Sequence, residues 1–261
     1  MQPAPPALAT RQGDLLCISD LHLGVDKPEL TTLFLQFCEE IPAGVSDLCI
    51  LGDLFDFWVH PAQAQEEPQQ TVLRALQGLV RKGMRVWVMT GNRDFALDAR
   101  TLQNFALRAL ADPTLLPGGI VLTHGDLLVT DDHAYLRFRR VIRNPLVRAL
   151  LRALPYSALL ALGKKLRRRS QRELQKKSTA MTQASPAGIV AALTGTGVFH
   201  SALAPYRTLI HGHTHLPIDE EIPDLQARRY VLSDWQATGA TLLLCAPTGN
   251  CRLWRYTPAP R

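Results

Sequence analysis

Short apolar runs that each end in a polar cluster are the feature of this 261-residue sequence that most restricts its fold. Five such runs have the pattern of buried strands: residues 15–19, 48–51, 85–89, 120–123 and 208–210. Helical patterns lie between several of them, at residues 28–40, 69–81 and 98–109. Strands that alternate with helices predict an α/β fold built on a parallel or mixed sheet.

The remaining segments depart from this alternation. Near the C-terminus, residues 228–232, 241–246 and 252–256 predict successive strands of a second sheet or an antiparallel edge. Residues 131–199 contain no strand pattern and predict three or four helices, at 132–143, 145–162, 163–183 and 186–199. We therefore predict a single domain over residues 1–261, with a helical lid inserted at residues 131–199.

Composition restricts the class of protein. Apolar residues make up 46% of the chain and charged residues 20%, which is typical of a globular protein and excludes a collagen-like or disordered chain. No run approaches the roughly 18 apolar residues of a membrane-spanning helix, and the proline-containing residues 1–13 do not resemble a signal peptide. Cys17, Cys49 and Cys245 lie in apolar runs, so we expect free core thiols and a reducing compartment.

Positive charge is concentrated in one segment of the chain. The net charge is +6, yet residues 137–177 hold fourteen Lys or Arg and one acid, Glu173. The local charge is therefore +13, and the rest of the chain carries −7. A basic segment inserted into an acidic body predicts an anionic partner for that segment.

The polar clusters at the five strand ends predict a metal centre. Ligands bind at the carboxyl ends of strands in α/β sheets, so folding should bring the clusters together. Their residues are Ser19–His22, Gly52–Asp56, Gly91–Asp94, His124–Asp126 and His211–His215. Carboxylates and imidazoles cannot share one buried place without a cation. Oxygen and nitrogen ligands without thiolate favour Mn, Fe, Co or Zn, and their number suits two ions that share a carboxylate. Any one cluster taken alone would indicate only a turn or a helix cap.

In this order, the motifs DxH, GDxxD, GN, H and GHxH resemble those of the calcineurin-like metallophosphoesterases. The resemblance implies a four-layer αββα sandwich that carries two metal ions. It implies seven metal ligands: Asp20, His22 and His215 on the first ion, Asn92, His124 and His213 on the second, and Asp53 between them. His211 precedes the GHxH pair, and we expect a supporting or structural role for it.

One departure from that pattern narrows the resemblance. Most of the superfamily has His after GN, whereas this chain has Arg93, within the motif GNRDF. With this motif, the chain resembles the UDP-2,3-diacylglucosamine diphosphatases of lipid A synthesis. The resemblance implies that Asp53, Asn92 and Arg93 are catalytic. It also implies a set of substrate contacts: Asn92, Arg93, Asp132, Ser170, Lys177 and His213. A lid position that is often Asn in that family is Leu174 here.

The resemblance also implies a reaction. A hydroxide activated by two divalent ions, with Mn²⁺ the expected metal, would attack the uridine-side phosphorus of UDP-2,3-diacylglucosamine. The products would be UMP and 2,3-diacylglucosamine 1-phosphate (lipid X). The planar guanidinium of Arg93 suits this reaction because it can hold two diphosphate oxygens.

The residue pattern of the predicted lid indicates binding to a membrane surface. An apolar stripe with Leu146, Leu150 and Leu154, flanked by basic residues, is suited to an anionic membrane surface, although the stripe could also pack on the body. We therefore expect a peripheral protein on the cytoplasmic face of the bacterial inner membrane, with an acylated UDP-sugar as its partner. No protein partner is implied.

Two other functions compete with this prediction. The basic segment could follow a nucleic-acid backbone in a nuclease or nucleotide phosphodiesterase. Nucleic acid is not the expected partner, because between residues 131 and 177 only Tyr135, Phe138 and Tyr156 could stack on bases. A non-enzymatic scaffold that has lost its metals is the second alternative, and the seven filled ligand positions argue against it.

Overall fold

The computed structural model describes residues 1–163, 165 and 183–259, and these residues form two six-stranded sheets. Sheet one has four parallel neighbours, in the order β2 (Asp14–Ile18), β3 (Val45–Leu51), β4 (Arg85–Met89) and β5 (Arg108–Leu110). β11 (Ala240–Cys245) pairs antiparallel with β2, and β12 (Cys251–Tyr256) pairs antiparallel with β11. The three predicted C-terminal strands therefore divide between the sheets, with two of them at the edge of sheet one.

Sheet two is mixed. Its strands occur in the order β1 (Gln2–Pro3), β6 (Thr114–Leu116), β7 (Ile120–Leu122), β8 (Thr208–His211), β10 (Ala227–Val231) and β9 (Ile218–Ile222). β7, β8 and β10 run parallel, whereas β6 and β9 pair antiparallel with β7 and β10. The parallel strands β7 and β8 are the two that end in predicted ligand clusters.

Alternating side chains on the strands produce four layers, because successive residues of a strand face opposite sides of the sheet. Leu16 and Ile18 of β2 pack with α2 (Pro28–Glu40) and α3 (Gln69–Arg81). Leu15 and Cys17 of the same strand pack with residues of sheet two and with Leu8 of the short helix α1 (Pro6–Ala9). The other face of sheet two packs with α8 (Pro186–Thr194). This order of helices, sheet, sheet and helix confirms the predicted αββα sandwich.

The segment predicted as a lid contains helices with different surroundings. α5 (His133–Ile142) and α6 (Pro145–Arg152) are followed, after a break at Pro155, by α7 (Tyr156–Gly163). Most of the predicted helix at residues 163–183 lies outside the described residues. α8 begins at a Ser185 N-cap and forms the outer layer of sheet two. The bounds 131–199 for the lid stay a prediction.

Three local predictions are wrong. The single helix predicted over 145–162 is broken at Pro155 into α6 and α7, because proline has no backbone N–H to continue a helix. The helix predicted over 98–109 ends at Asn104, because Ala106 takes a left-handed backbone conformation (φ 60°) and the chain then enters β5. Cys245 is not a free thiol: it forms a disulfide with Cys251, its direct cross-strand partner between β11 and β12. The pairing depends on strand register, which the residue pattern does not reveal. Cys17 and Cys49 are free and buried, as predicted.

Among the described residues, no single helix is long and apolar enough to cross a bilayer. The pair Pro145–Leu151 and Tyr156–Gly163 reaches that length and composition only when taken together, and its two halves are bent by 116°.

Candidate metal centre

The polar clusters predicted at five strand ends meet where the two sheets approach each other. Asp20, Asp53 and Asn92 follow β2, β3 and β4 of sheet one. His124 follows β7, and His213 and His215 follow β8, all from sheet two. Parallel neighbours present their carboxyl ends at the same edge, and the stacking of the two sheets brings the two edges together. A single site is thus assembled from residues that are far apart in the chain.

All seven predicted ligands are linked by short distances. His215 Nε2 lies 3.3 Å from both Asp20 Oδ1 and His22 Nε2. Asp53 Oδ2 lies 3.9 Å from His22 Nδ1 and 3.8 Å from His124 Nε2. Asp53 therefore lies between the group Asp20, His22 and His215 and the group containing His124, which is the place of a bridging carboxylate.

The second group is held around one amide oxygen. Asn92 Oδ1 lies 2.9 Å from His124 Nε2 and 3.1 Å from His213 Nδ1. His124 Nδ1 lies 2.9 Å from the carbonyl oxygen of Leu51, which can only accept, so Nδ1 carries a proton. If the His124 ring is neutral, its Nε2 carries no proton, and the lone pair of Nε2 faces Asn92 Oδ1, which is also an acceptor. A metal ion bound by both atoms would satisfy this arrangement.

Buried atoms without partners also fit a metal site. Among the described residues, Asp20 Oδ1 and His22 Nδ1 are buried and make no well-aligned hydrogen bond, and the nearest partner of Asp20 Oδ1 is the ligand candidate His215, 3.3 Å away. Asp20 Oδ2, by contrast, accepts from Ser19 Oγ at 2.7 Å and from the His213 backbone N–H at 2.8 Å. Leaving a buried carboxylate oxygen unpaired is costly. The donor set, oxygen and imidazole nitrogen, suits divalent ions of the Mn, Fe, Co and Zn group.

Strained backbone conformations are concentrated in the predicted ligands. In the part of the chain that the structure describes, seven non-glycine residues have positive φ. Five of them are predicted ligands: Asp20 (53°), His22 (49°), Asp53 (53°), His213 (67°) and His215 (58°). The left-handed region is unfavourable for residues with a Cβ, and such strain persists where the surrounding structure imposes it, commonly at functional sites.

Close backbone approach explains two of the glycines beside the ligands. A Cβ on Gly91 would collide with Asp53, and a Cβ on Gly212 would collide with Ser19 and Asp20. Asp94 makes hydrogen bonds to the backbone of the loops around these ligands. Its buried carboxylate accepts from the Gly91 backbone N–H at 2.7 Å and from the Leu54 backbone N–H at 2.9 Å. The two loops that carry Asn92 and Asp53 are thereby joined.

Burial and mutual proximity shift the pKa values of these groups in opposite directions. Burial raises the pKa of Asp53 to about 7, and the charges of Asp94 and Asp20 add to the shift. Burial disfavours the charged ring of His124, but the carboxylates of Asp53 and Asp20 outweigh it and raise its pKa to about 9. Burial lowers the pKa of His22 to about 3. A divalent cation would favour ionised carboxylates and neutral imidazoles together.

Several bacterial proteins are similar to this chain over most of its length. A UDP-2,3-diacylglucosamine hydrolase of Stutzerimonas stutzeri is 37% identical over 233 residues, which is 87% of this chain and 93% of that protein. Proteins of the same name from Azotobacter vinelandii and Pseudomonas aeruginosa are 38% and 36% identical, each over 87% of this chain and over 92% and 93% of their own lengths. The chain belongs to the UDP-2,3-diacylglucosamine hydrolase family.

Neither family models nor solved structures extend this family assignment. No family model matches the chain. The solved structure of Pseudomonas putida nuclease MPE covers 42% of this chain and 53% of its own, with 20% identity and a TM-score of 0.33. A structural similarity of that extent supports no conclusion about the function of this hydrolase.

Arg93, the residue after the GN motif in this hydrolase, lies beside the bridging position. Its backbone N–H donates to Asp53 Oδ1 at 2.8 Å. Its guanidinium, 25% exposed, donates to Asp56 Oδ1 at 3.0 Å. Arg93 therefore orients Asp53 through the backbone and keeps a positive group at the edge of the site.

Of the other predicted substrate contacts, Asn92 and His213 lie in the ligand cluster, whereas Asp132, Ser170 and Lys177 belong to the predicted lid. Asp132 is the N-cap of α5, where its side chain accepts from the Tyr135 backbone N–H at 3.1 Å. Ser170 and Lys177 lie outside the described residues, and so does Leu174. Their contact with substrate stays a prediction.

His211 makes its hydrogen bonds to groups outside the predicted ligand set. It is fully buried, and its Nδ1 faces the Gly212 carbonyl oxygen at 2.8 Å. Arg229 Nε donates to His211 Nε2 at 3.0 Å. Both ring nitrogens are thus engaged, as we expect for a structural His.

Sequence reasoning missed several residues around the site. Asp112 accepts from Thr123 Oγ1 at 2.7 Å and from the His124 backbone N–H at 3.2 Å. In the sequence it precedes Pro113 and resembles a turn residue, so no local signal distinguishes it. Arg139 joins Asp112 to Asp126, and only its place in a basic helix was visible in the sequence.

Proposed function

We propose that this chain hydrolyses the diphosphate of UDP-2,3-diacylglucosamine to UMP and 2,3-diacylglucosamine 1-phosphate, a step of lipid A biosynthesis. The observation that carries the proposal is the seven-residue cluster, with Asp53 between two groups of ligand atoms. The name shared by relatives that are 36–38% identical supports the substrate.

The residues that would hold two divalent ions divide into two groups joined by Asp53. Asp20, His22 and His215 form one group, and Asn92, His124 and His213 form the other. Bound metal ions lower the pKa of water and offset the charge of phosphate oxygens. We propose Mn²⁺ as the physiological metal, since the donor atoms are oxygen and nitrogen.

Arg93 would bind the diphosphate. Its guanidinium is partly exposed beside the site, and its planar fork of donors can hold two phosphate oxygens while offsetting charge that develops in the transition state. Arginine is not a proton donor at neutral pH. A phosphate leaving group needs protonation less than an alkoxide does, so Arg93 suits a diphosphate substrate.

The acyl chains would bind along the lid. A groove between the body and helices α6 and α7 has an apolar lining that includes Phe95, Leu151, Leu159 and Leu162, with Arg148 at its edge. Beyond the groove, Leu146 is 79% exposed and Leu150 is 68% exposed. Exposed leucines in a segment of charge +13 suit an anionic lipid surface. We propose peripheral binding to the cytoplasmic face of the inner membrane.

Hydrolysis in water enriched in ¹⁸O tests the position of attack. We expect the label in the phosphate of UMP, because attack is proposed at the uridine-side phosphorus. Label found in the sugar phosphate instead would overturn that proposal. Asp53→Asn serves as the control for contaminating phosphatases and should release no UMP.

A further inference from the structure

One face of α5 contacts the loops of all three residues in the second ligand group. Tyr135, Arg139 and Arg143 are spaced four residues apart and therefore share a side of the helix. We call these three residues the α5 face. None of them is among the predicted ligands.

Arg139 is the centre of the α5 face. Its Nε donates to Asp126 Oδ2 and its NH2 group to Asp112 Oδ2, each at 2.7 Å. Both carboxylates are almost fully buried, with side chains 2% exposed for Asp112 and 0% for Asp126. Removing Arg139 would leave two buried carboxylates without their cation, which is strongly unfavourable.

One carboxylate binds the backbone of His124, and the other belongs to a residue two positions later that Arg139 anchors. Asp112 Oδ1 accepts from the His124 backbone N–H, and Asp126 lies two residues further along, after a left-handed Gly125. Arg139 therefore fixes the position of His124 without reaching the atoms that would bind metal. The His124 ring is then oriented by the Leu51 carbonyl group.

The other two residues of the α5 face support Asn92 and His213. The Arg143 NH2 group donates to the carbonyl oxygens of Thr90 and Gly91, at 3.0 and 2.8 Å, in the loop that carries Asn92. The ring of Tyr135 stacks on His213 with centroids 6.4 Å apart. The first helix of the lid thus contacts every loop of the second ligand group.

We infer that Arg139 is a positioning residue for the second metal ion, acting through Asp112 and Asp126 on His124. The inference rests on the proposed function for the presence of two ions, but it concerns metal affinity rather than substrate. Residues that support ligands in this indirect way commonly change metal affinity by about 10- to 100-fold.

Titration of the metal-free protein with Mn²⁺, followed by the electron paramagnetic resonance signal of free Mn²⁺, tests the inference without substrate. We expect the Arg139→Met variant to keep one ion with unchanged affinity and to bind the other at least about tenfold more weakly. Arg139→Lys, which keeps the charge but loses the fork of donors, should lie between Arg139→Met and the unaltered protein. Arg137→Met is the matched control, because Arg137 is exposed on the same helix. Excess Mn²⁺ should restore the kcat of Arg139→Met.

Unchanged affinity for both ions in Arg139→Met would overturn the inference. If that variant does not fold, judged by circular dichroism, Arg139→Lys and Arg143→Met decide in its place by the same titration. A weakened second ion in a protein that does not cleave UDP-2,3-diacylglucosamine would support the inference and refute the proposed function. If Arg139→Met is fully active and binds both ions with unchanged affinity, the proposed function is supported and the inference is refuted.

Discussion

His124 Nδ1 donates to the carbonyl oxygen of Leu51 at 2.9 Å, so a ligand that follows one sheet is oriented by the backbone of the other. Leu51 is the last residue of β3, two residues before Asp53. The hydrogen bond determines which nitrogen of His124 faces Asn92 and Asp53. The orientation of the His124 ring in the site therefore depends on the spacing of the two sheets.

Loss of the carboxylate between the two ligand groups should abolish activity. We expect Asp53→Asn to reduce kcat by at least about a thousandfold, because Asp53 would hold the two cations that offset negative charge on the reacting phosphate. UMP release measured with Mn²⁺ checks this. Near-normal turnover would contradict a centre in which Asp53 joins two ions.

Loss of the arginine after GN should impair catalysis and leave the metals in place. We expect Arg93→Ala to reduce kcat about a hundredfold, the order of loss for one donor to a developing negative charge. Metal content by mass spectrometry should stay unchanged. Arg100→Ala, at an exposed position on α4 (Ala99–Asn104), is the control. Kinetics of Arg93→Ala that match this control would remove Arg93 from the mechanism.

The stability of the fold should depend on pH through Asp47, at the far end of β3 from the site. Burial alone would raise the pKa of Asp47, but hydrogen bonds from Arg85, Ser46 and Trp87 outweigh burial and hold its pKa below the usual 3.8. Because the folded pKa is the lower one, the carboxylate stabilises the protein above about pH 3.8, and this stabilisation is lost as pH falls through the folded pKa.

Urea unfolding of Asp47→Asn checks this dependence. We expect the variant to lose about 1–3 kcal/mol in the free energy of unfolding at pH 7, and the gap to the unaltered protein to narrow as the pH falls below 4. Asp224→Asn, at an exposed position, should lose nothing. A gap that stays constant with pH would show that Asp47 stabilises by packing alone.

Exposed leucines on α6 should determine membrane binding. We expect the double variant Leu146→Glu, Leu150→Glu to bind phosphatidylglycerol vesicles at least about tenfold more weakly, because each buried leucine contributes roughly 1.5–3 kcal/mol. Sedimentation with the vesicles measures this. Leu203→Glu changes a leucine that is similarly exposed, at 69%, outside the lid helices. Equal binding by the double variant and this control would refute contact through α6.

Local patterns and strand ends were sufficient to predict most of the fold. The helices Pro28–Glu40 and Gln69–Arg81 have the predicted bounds, because helical periodicity is contained in the segment itself. The strand ends indicated the five polar clusters and a metal centre, and the family resemblance implied which seven residues of those clusters are the ligand candidates. Four strands in the described part of the chain were missed: β1, β5 and β6 have only two or three residues each, and β9 is a largely polar edge strand.

Contacts between distant segments could not be predicted. The disulfide of Cys245 depends on the register of β11 against β12. The pairing of Arg139 with Asp112 and Asp126 joins three separate elements, and none of them carries a signal of the other two. Both are consequences of packing, which the residue pattern of one segment does not contain.

Product analysis with Mn²⁺ tests the central claim most directly. The substrates are UDP-2,3-diacylglucosamine, UDP-N-acetylglucosamine and single-stranded DNA, offered separately to the same preparation and to Asp53→Asn. We predict UMP from the acylated substrate alone, and none from the variant. Cleavage of DNA, or of the unacylated sugar nucleotide only, would contradict the account.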